Sequence, residues 1–173
     1  MSGDVRLAYV VGLGANLGDR RATLRSALQA LASKATLLGV SDLYASRAVG
    51  PVQPDYLNAA VLLEASLSPR QLLGELLSIE RAHGRERRER WGPRTLDLDL
   101  LHSPELVVSE PDLTLPHPEL NGRAFALAPL VDVAPEARDP RSGARYADIL
   151  RALGEPFVHR VETSEAWRPG RAE

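Results

Sequence analysis

Cysteine is absent from the 173 residues, which removes disulfides, thiolate nucleophiles and zinc–thiolate sites at once. Lysine is nearly absent too: Lys34 stands alone against twenty arginines. No apolar run approaches the length of a membrane span and the amino-terminal residues lack a signal-peptide pattern, so the expected compartment is the cytoplasm. No repeat, low-complexity tract or dividing linker interrupts the chain. That argues for one domain over 1–173, with a polar tail at 153–173. A net charge of −2 argues against a chain built to coat nucleic acid or an anionic membrane. With 44% hydrophobic and 25% charged residues, the composition is that of an ordinary globular protein. Basicity is local: from Arg81 to Arg94 six arginines face only Glu86 and Glu89.

That basic stretch runs into the segment around which the chain is organised, Arg90-Trp91-Gly92-Pro93-Arg94-Thr95-Leu96-Asp97-Leu98-Asp99-Leu100-Leu101. From Leu96 the pattern alternates, with leucines on one face and Asp97 and Asp99 on the other. In an extended strand, side chains two apart share a face at a spacing of about 7 Å. Two like charges so placed require something positive nearby. A solvated strand face with surface ion pairs is the plain alternative. The adjacent Arg85, Arg87, Arg88, Arg90 and Arg94 favour another reading: carboxylates for hard cations beside guanidiniums for phosphate oxygens are the parts of magnesium-assisted phosphoryl transfer.

Elsewhere the patterning predicts a strand over 7–11, a glycine-rich turn at Gly12-Leu13-Gly14-Ala15-Asn16-Leu17-Gly18, and a helix from Asp19 ending before Ala35. A dinucleotide fingerprint fails because its last glycine would fall on Leu17. A strand over 36–44 follows, then a loop carrying Gly50, Pro51 and Pro54, then a strand over 56–64. In that strand Tyr56 and Asn58 project together, a ring beside a carboxamide. This suits a flat heterocycle, although such a pair taken alone more often lies on a surface. Ser68, Pro69 and Gln71 open a second helix that Gly84 ends. Beyond the aspartate strand the patterning predicts a small hairpin at 105–110, a rigid segment at 114–118, a helical turn at 121–130 and a helix at 147–153. The element order β-α-β-β-α-β is that of an α+β, ferredoxin-like sandwich, a mostly antiparallel sheet backed by helices.

The 90–101 stretch resembles the signature of the 6-hydroxymethyl-7,8-dihydropterin pyrophosphokinases of folate biosynthesis. So do the glycine-rich 12–18 segment, Gln53-Pro54-Asp55-Tyr56-Leu57-Asn58-Ala59 and Leu115-Pro116-His117. The resemblance implies transfer of pyrophosphate from ATP to the hydroxymethyl group of the dihydropterin, with release of AMP. It implies two magnesium ions on Asp97 and Asp99, with ATP as co-substrate. Arg85 and Arg94 join the two aspartates as catalytic residues. Glu80, Arg85, Arg87, Trp91, Arg94, Leu100, Thr114, His117 and Arg123 match ATP contacts. Ser46, Arg47, Val49, Tyr56, Asn58, Trp91 and Phe125 match the pterin site, with Tyr56 and Phe125 sandwiching the ring and Asn58 reading its edge. The expected partners are small molecules, with no nucleic acid and no membrane, and the expected state is a monomer. Three features depart from the family pattern: Ser46-Arg47 replaces a common Thr-Pro, Asp112 stands where some members carry a basic ATP contact, and the arginine loop is a residue shorter than in some relatives.

A nucleic-acid-binding module of the same fold is one rival, with the arginine loop on phosphates and Tyr56 or Trp91 stacking on bases. The Asp97–Asp99 pair opposes it by repelling a polyanion. A small-molecule-sensing regulatory domain is another, but it has no need of two carboxylates facing an arginine loop.

Overall fold

The computed structural model describes residues 4–48, 52–84, 95–154 and 158–170. Its centre is β1 (Leu7–Ala15), flanked antiparallel by β4 (Tyr56–Ala65) on one side and β5 (Asp97–His102) on the other. On its far edge β4 pairs with β2 (Thr36–Val40) at one end and β3 (Leu43–Ser46) at the other. A further strand, β8 (Val158–Glu162), extends the sheet beyond β3. The path β5-β1-β4-β3-β8, with β2 alongside β4, gives six strands, every described pairing antiparallel. The expected ferredoxin-like sandwich is present.

Both faces of the sheet are covered. Tyr9, Val11, Leu13, Leu57, Ala59, Val61 and Leu63 meet α1 (Arg20–Ala32) and α2 (Pro69–Ala82) in the larger core. Val10, Ala60 and Leu101 meet α3 (Ala124–Val133) and α4 (Tyr146–Leu153) on the opposite face. Burial on two faces is why β1 reads as an unbroken apolar run rather than an alternating one.

The helix ends follow the sequence signals. Asp19 caps α1 by accepting from Ala22 N at 3.1 Å. Ser68 and Gln71 close the capping box of α2, and Gly84 with φ of 76° stops the chain just past it. Leu72, Leu76 and Ile79 form the buried stripe of α2. Truncating a leucine as enclosed as Leu76 costs about 2–5 kcal/mol.

Four expectations are corrected. The single strand over 36–44 is two strands broken at Ser41, whose backbone N–H donates to Ala60 O at 2.9 Å and whose Oγ accepts from Ala60 N at 2.8 Å. Those bonds replace the regular ladder and let the chain bend. The hairpin lies later than 105–110, with β6 (Val108–Glu110) paired to β7 (Leu113–Leu115). Arg70 of α2 anchors it through Glu110 and through both oxygens of Asp112, at 2.9 and 3.0 Å. The helical turn at 121–130 is a 3₁₀ turn (Leu120–Gly122) followed by the full helix α3, which runs through Pro129. Six buried residues of α3 outweigh the hydrogen bond that a proline forfeits. The stretch read as a polar tail adds β8 and α5 (Ser164–Trp167) to the fold, with Trp167 fully buried.

Candidate active site

A cleft of about 770 Å³ opens where β5, β1, β4 and β3 pass beneath α3 and the loop before it. Its floor is glycine. Gly12 and Gly14 sit inside β1, not in the turn expected of them, because the strand continues to Ala15. The register sets Gly14 opposite Asn58 on one side and Asp97 on the other, while Gly12 stands opposite Asp99. A row Asn58–Gly14–Asp97 thus crosses three strands. A Cβ on Gly14 would meet Asn58 Oδ1 and Tyr56 Cδ1, each at 3.4 Å, and one on Gly12 would meet Leu101 at 3.0 Å. Bare backbone keeps the floor low between the two walls.

One wall is Tyr56, Asn58, Ser46 and Arg47. Asn58 is 5% exposed and donates its Nδ2 to Ser46 Oγ at 2.7 Å, which fixes the carboxamide plane. Asn16, buried at the end of β1, donates to Gln53 Oε1 at 2.7 Å and to Pro54 O at 3.2 Å, tying the loop before Tyr56 to the sheet.

The opposite wall is Asp97 and Asp99 of β5. Since β5 is the outer strand, the N–H of Leu98 points away from β1, and Glu80 Oε2 accepts it at 3.0 Å. Glu80 is 2% exposed, so a buried carboxylate holds the strand between the two functional ones.

His117, Glu119, Gly122, Arg123 and Phe125 form the roof. The N–H of His117 donates to Leu101 O at 2.8 Å, fastening the roof to β5. His117 Nδ1 lies 3.2 Å from Glu119 N and accepts from it, which places the ring proton on Nε2. Burial, then the neighbouring Arg123 charge, lowers the His117 pKa below its ordinary value. The ring is therefore a neutral donor at pH 7. Arg123 pairs with Glu119 and lies with its guanidinium carbon 5.7 Å from the Phe125 ring centroid, a cation–π contact.

Of the residues singled out from the sequence, Ser46, Arg47, Tyr56, Asn58, Asp97, Asp99, His117, Arg123 and Phe125 meet in this one cleft. Leu100 is buried in the larger core, Glu80 lies behind β5, and Thr114 sits on β7; none of the three lines the cleft. Val49, Arg85, Arg87, Trp91 and Arg94 lie outside the described residues. The roles of Gly12, Gly14 and Glu119 went unread. Two glycines two apart beside a predicted strand were the available signal for the floor.

The donor set suits a hard divalent cation. Among the described residues no three His, Cys, Asp or Glu side chains gather into a cage. Two strand carboxylates facing the cleft match the way magnesium is held by one or two carboxylates and completed by water and phosphate oxygens.

A family model described as 7,8-dihydro-6-hydroxymethylpterin-pyrophosphokinase (HPPK) matches residues 10–135. A Synechocystis 2-amino-4-hydroxy-6-hydroxymethyldihydropteridine pyrophosphokinase is 49% identical over 146 residues, covering 83% of this chain and 75% of the relative. The enzyme of the same name from Pseudomonas aeruginosa is 42% identical, covering 87% and 94%. Among solved structures, wild-type Plasmodium falciparum HPPK-DHPS with pterin and p-hydroxybenzoate superposes with a TM-score of 0.75 at 13% identity, a likeness of fold. It covers 92% of this chain, which spans 47% of that longer protein. By the extent and identity of these matches, the chain belongs to the 7,8-dihydro-6-hydroxymethylpterin-pyrophosphokinase family.

Proposed function

We propose that this chain transfers the pyrophosphoryl group of ATP to the hydroxymethyl oxygen of 6-hydroxymethyl-7,8-dihydropterin, releasing AMP. The observation that carries this reading is the Asn58–Gly14–Asp97 row, which sets a ring-and-amide wall across a bare floor from a carboxylate pair.

The pterin lies between Tyr56 and Phe125, and the carboxamide of Asn58, held by Ser46, reads its polar edge. A buried amide already fixed in plane loses little entropy when a flat ligand docks against it. The polyphosphate lies along Asp97 and Asp99 beneath His117 and Arg123. Neutral His117 donates from Nε2 to a phosphate oxygen or ribose hydroxyl without adding charge. Arg123 exchanges its Glu119 partner for phosphate oxygens and remains stacked on Phe125.

Asp97 and Asp99 would hold two magnesium ions, which would neutralise phosphate charge and acidify the pterin hydroxyl. The pterin oxygen loses its proton to solvent and forms a bond to the β-phosphorus while the bond from that phosphorus to the α,β-bridging oxygen breaks, so AMP carries the electron pair away. Among the described residues, no side chain of the cleft is assigned as a dedicated base. The protein's contribution is in-line alignment and electrostatics, as a loose phosphoryl-transfer transition state requires. Arg85, Arg87 and Arg94 are assigned by resemblance to the phosphates, and Trp91 and Val49 to the ATP and pterin sites. The family resemblance carries with it a cytoplasmic, monomeric enzyme. No helix among the described residues is long and apolar enough to cross a membrane.

Phosphorus NMR of ATP, magnesium and the dihydropterin with the protein tests this reading. AMP and a pterin diphosphate should rise together, whereas ADP as the nucleotide product would show ordinary kinase chemistry.

A further inference from the structure

The segment 158–167 lies beyond the residues matched by the family model, and none of its own residues lines the cleft. It nevertheless grips the strand that carries Ser46. Along the edge of β3, β8 pairs Ser46 with Val158, Ala45 with His159 and Tyr44 with Arg160. At the start of β3, Asp42 takes Arg160 Nε at 2.7 Å and the N–H of Ser164 at 2.8 Å. Trp167 Nε1 donates to Ser41 O at 2.8 Å. Arg160 also donates to Tyr44 Oη at 3.2 Å, and that hydroxyl donates to Asp132 of α3 at 2.8 Å. At its other end β3 presents Ser46, the hydroxyl that fixes the carboxamide of Asn58.

We propose that the carboxy-terminal segment Val158–Trp167 is a positioning element for the pterin wall, acting through β3 and Ser46 on Asn58. The inference rests on the pterin reading of that wall. β3 has only four residues and, without β8, would be an outer strand held by β4 alone. A slip of one residue turns Ser46 to the opposite face. Clamps at Ser41 and Asp42, together with the β8 ladder, prevent that shear. The polyphosphate wall is on β5, at the other side of the sheet, and shares none of these bonds. Loss of the clamp therefore weakens pterin binding and spares ATP.

The test is calorimetry on the full chain, with ATP alone and with 6-hydroxymethyl-7,8-dihydropterin in the presence of magnesium and a non-hydrolysable ATP analogue. Arg160→Ala is expected to weaken pterin binding about five- to tenfold, the effect of misplacing one buried hydrogen bond. ATP affinity should hold within about twofold, and Arg160→Lys should restore part of the loss. If Arg160→Ala does not fold, Trp167→Phe, which removes the donor to Ser41 together with some buried ring volume, is judged by the same split. A lowered melting temperature with unchanged pterin affinity overturns the inference, as does equal weakening of both ligands. A wild-type protein that binds no dihydropterin overturns the functional reading as well.

Discussion

Glu80 Oε2 accepts the backbone N–H of Leu98 at 3.0 Å, so the strand segment between Asp97 and Asp99 is fixed by a third, buried carboxylate on α2. An outer strand otherwise presents that N–H to solvent or to another chain. Glu80→Ala leaves a buried donor unsatisfied and should cost about 1–3 kcal/mol in chemical denaturation. Glu80→Gln, which keeps an acceptor oxygen, should cost less. Equal stability of Glu80→Ala and the wild type would remove Glu80 from this role.

Asp97→Ala and Asp99→Ala act on chemistry rather than on folding. Both side chains are only partly buried and face the cleft. Losing a held divalent charge should lower turnover at least about a hundredfold, with little change in melting temperature. AMP release measures the rate, and near-normal turnover in either variant would contradict the assignment.

Gly14→Ala tests the floor. The added Cβ stands 3.4 Å from both Asn58 Oδ1 and Tyr56 Cδ1, an ordinary contact, so the wall can stay in place while a methyl group rises from the floor. That methyl group takes space on the floor beside Tyr56 and Asn58, and it should weaken pterin binding about five- to tenfold while the protein stays folded. Titration of the dihydropterin into folded Gly14→Ala reads this directly.

The histidines set an acid-side slope. Burial lowers the pKa of His102, opposed in part by Asp139, and burial followed by Arg123 lowers that of His117. In each case the unfolded chain binds the proton first. Stability is therefore intact above the unfolded value of about 6.5 and falls as pH drops below it, until the folded pKa is reached. Denaturation from pH 7.5 to 5 should show this decline, and His102→Gln should flatten part of it.

The sequence made much of the site legible because strand periodicity is local. Asp97 with Asp99 and Tyr56 with Asn58 fall on shared faces by alternation alone, and the Ser68 capping box announces its helix. What it did not show is non-local. Gly12 and Gly14 read as a turn because glycine is common in turns; only their pairing with Asp97, Asp99 and Asn58 makes them a floor. The Ser41 break depends on Ala60, nineteen residues away. The last segment read as polar because all five β8 side chains are exposed or only half-buried on an outer strand, and its one deeply buried anchor, Trp167, packs against residues far back in the chain.

The most direct measurement is a crystal of the protein with manganese in place of magnesium, a non-hydrolysable ATP analogue and the dihydropterin, with the metal located by anomalous scattering. Manganese should lie between the polyphosphate and the carboxylates of Asp97 and Asp99, across the floor from a pterin held by Tyr56, Asn58 and Phe125. Manganese bound elsewhere, with both aspartates turned away from it, would contradict the account.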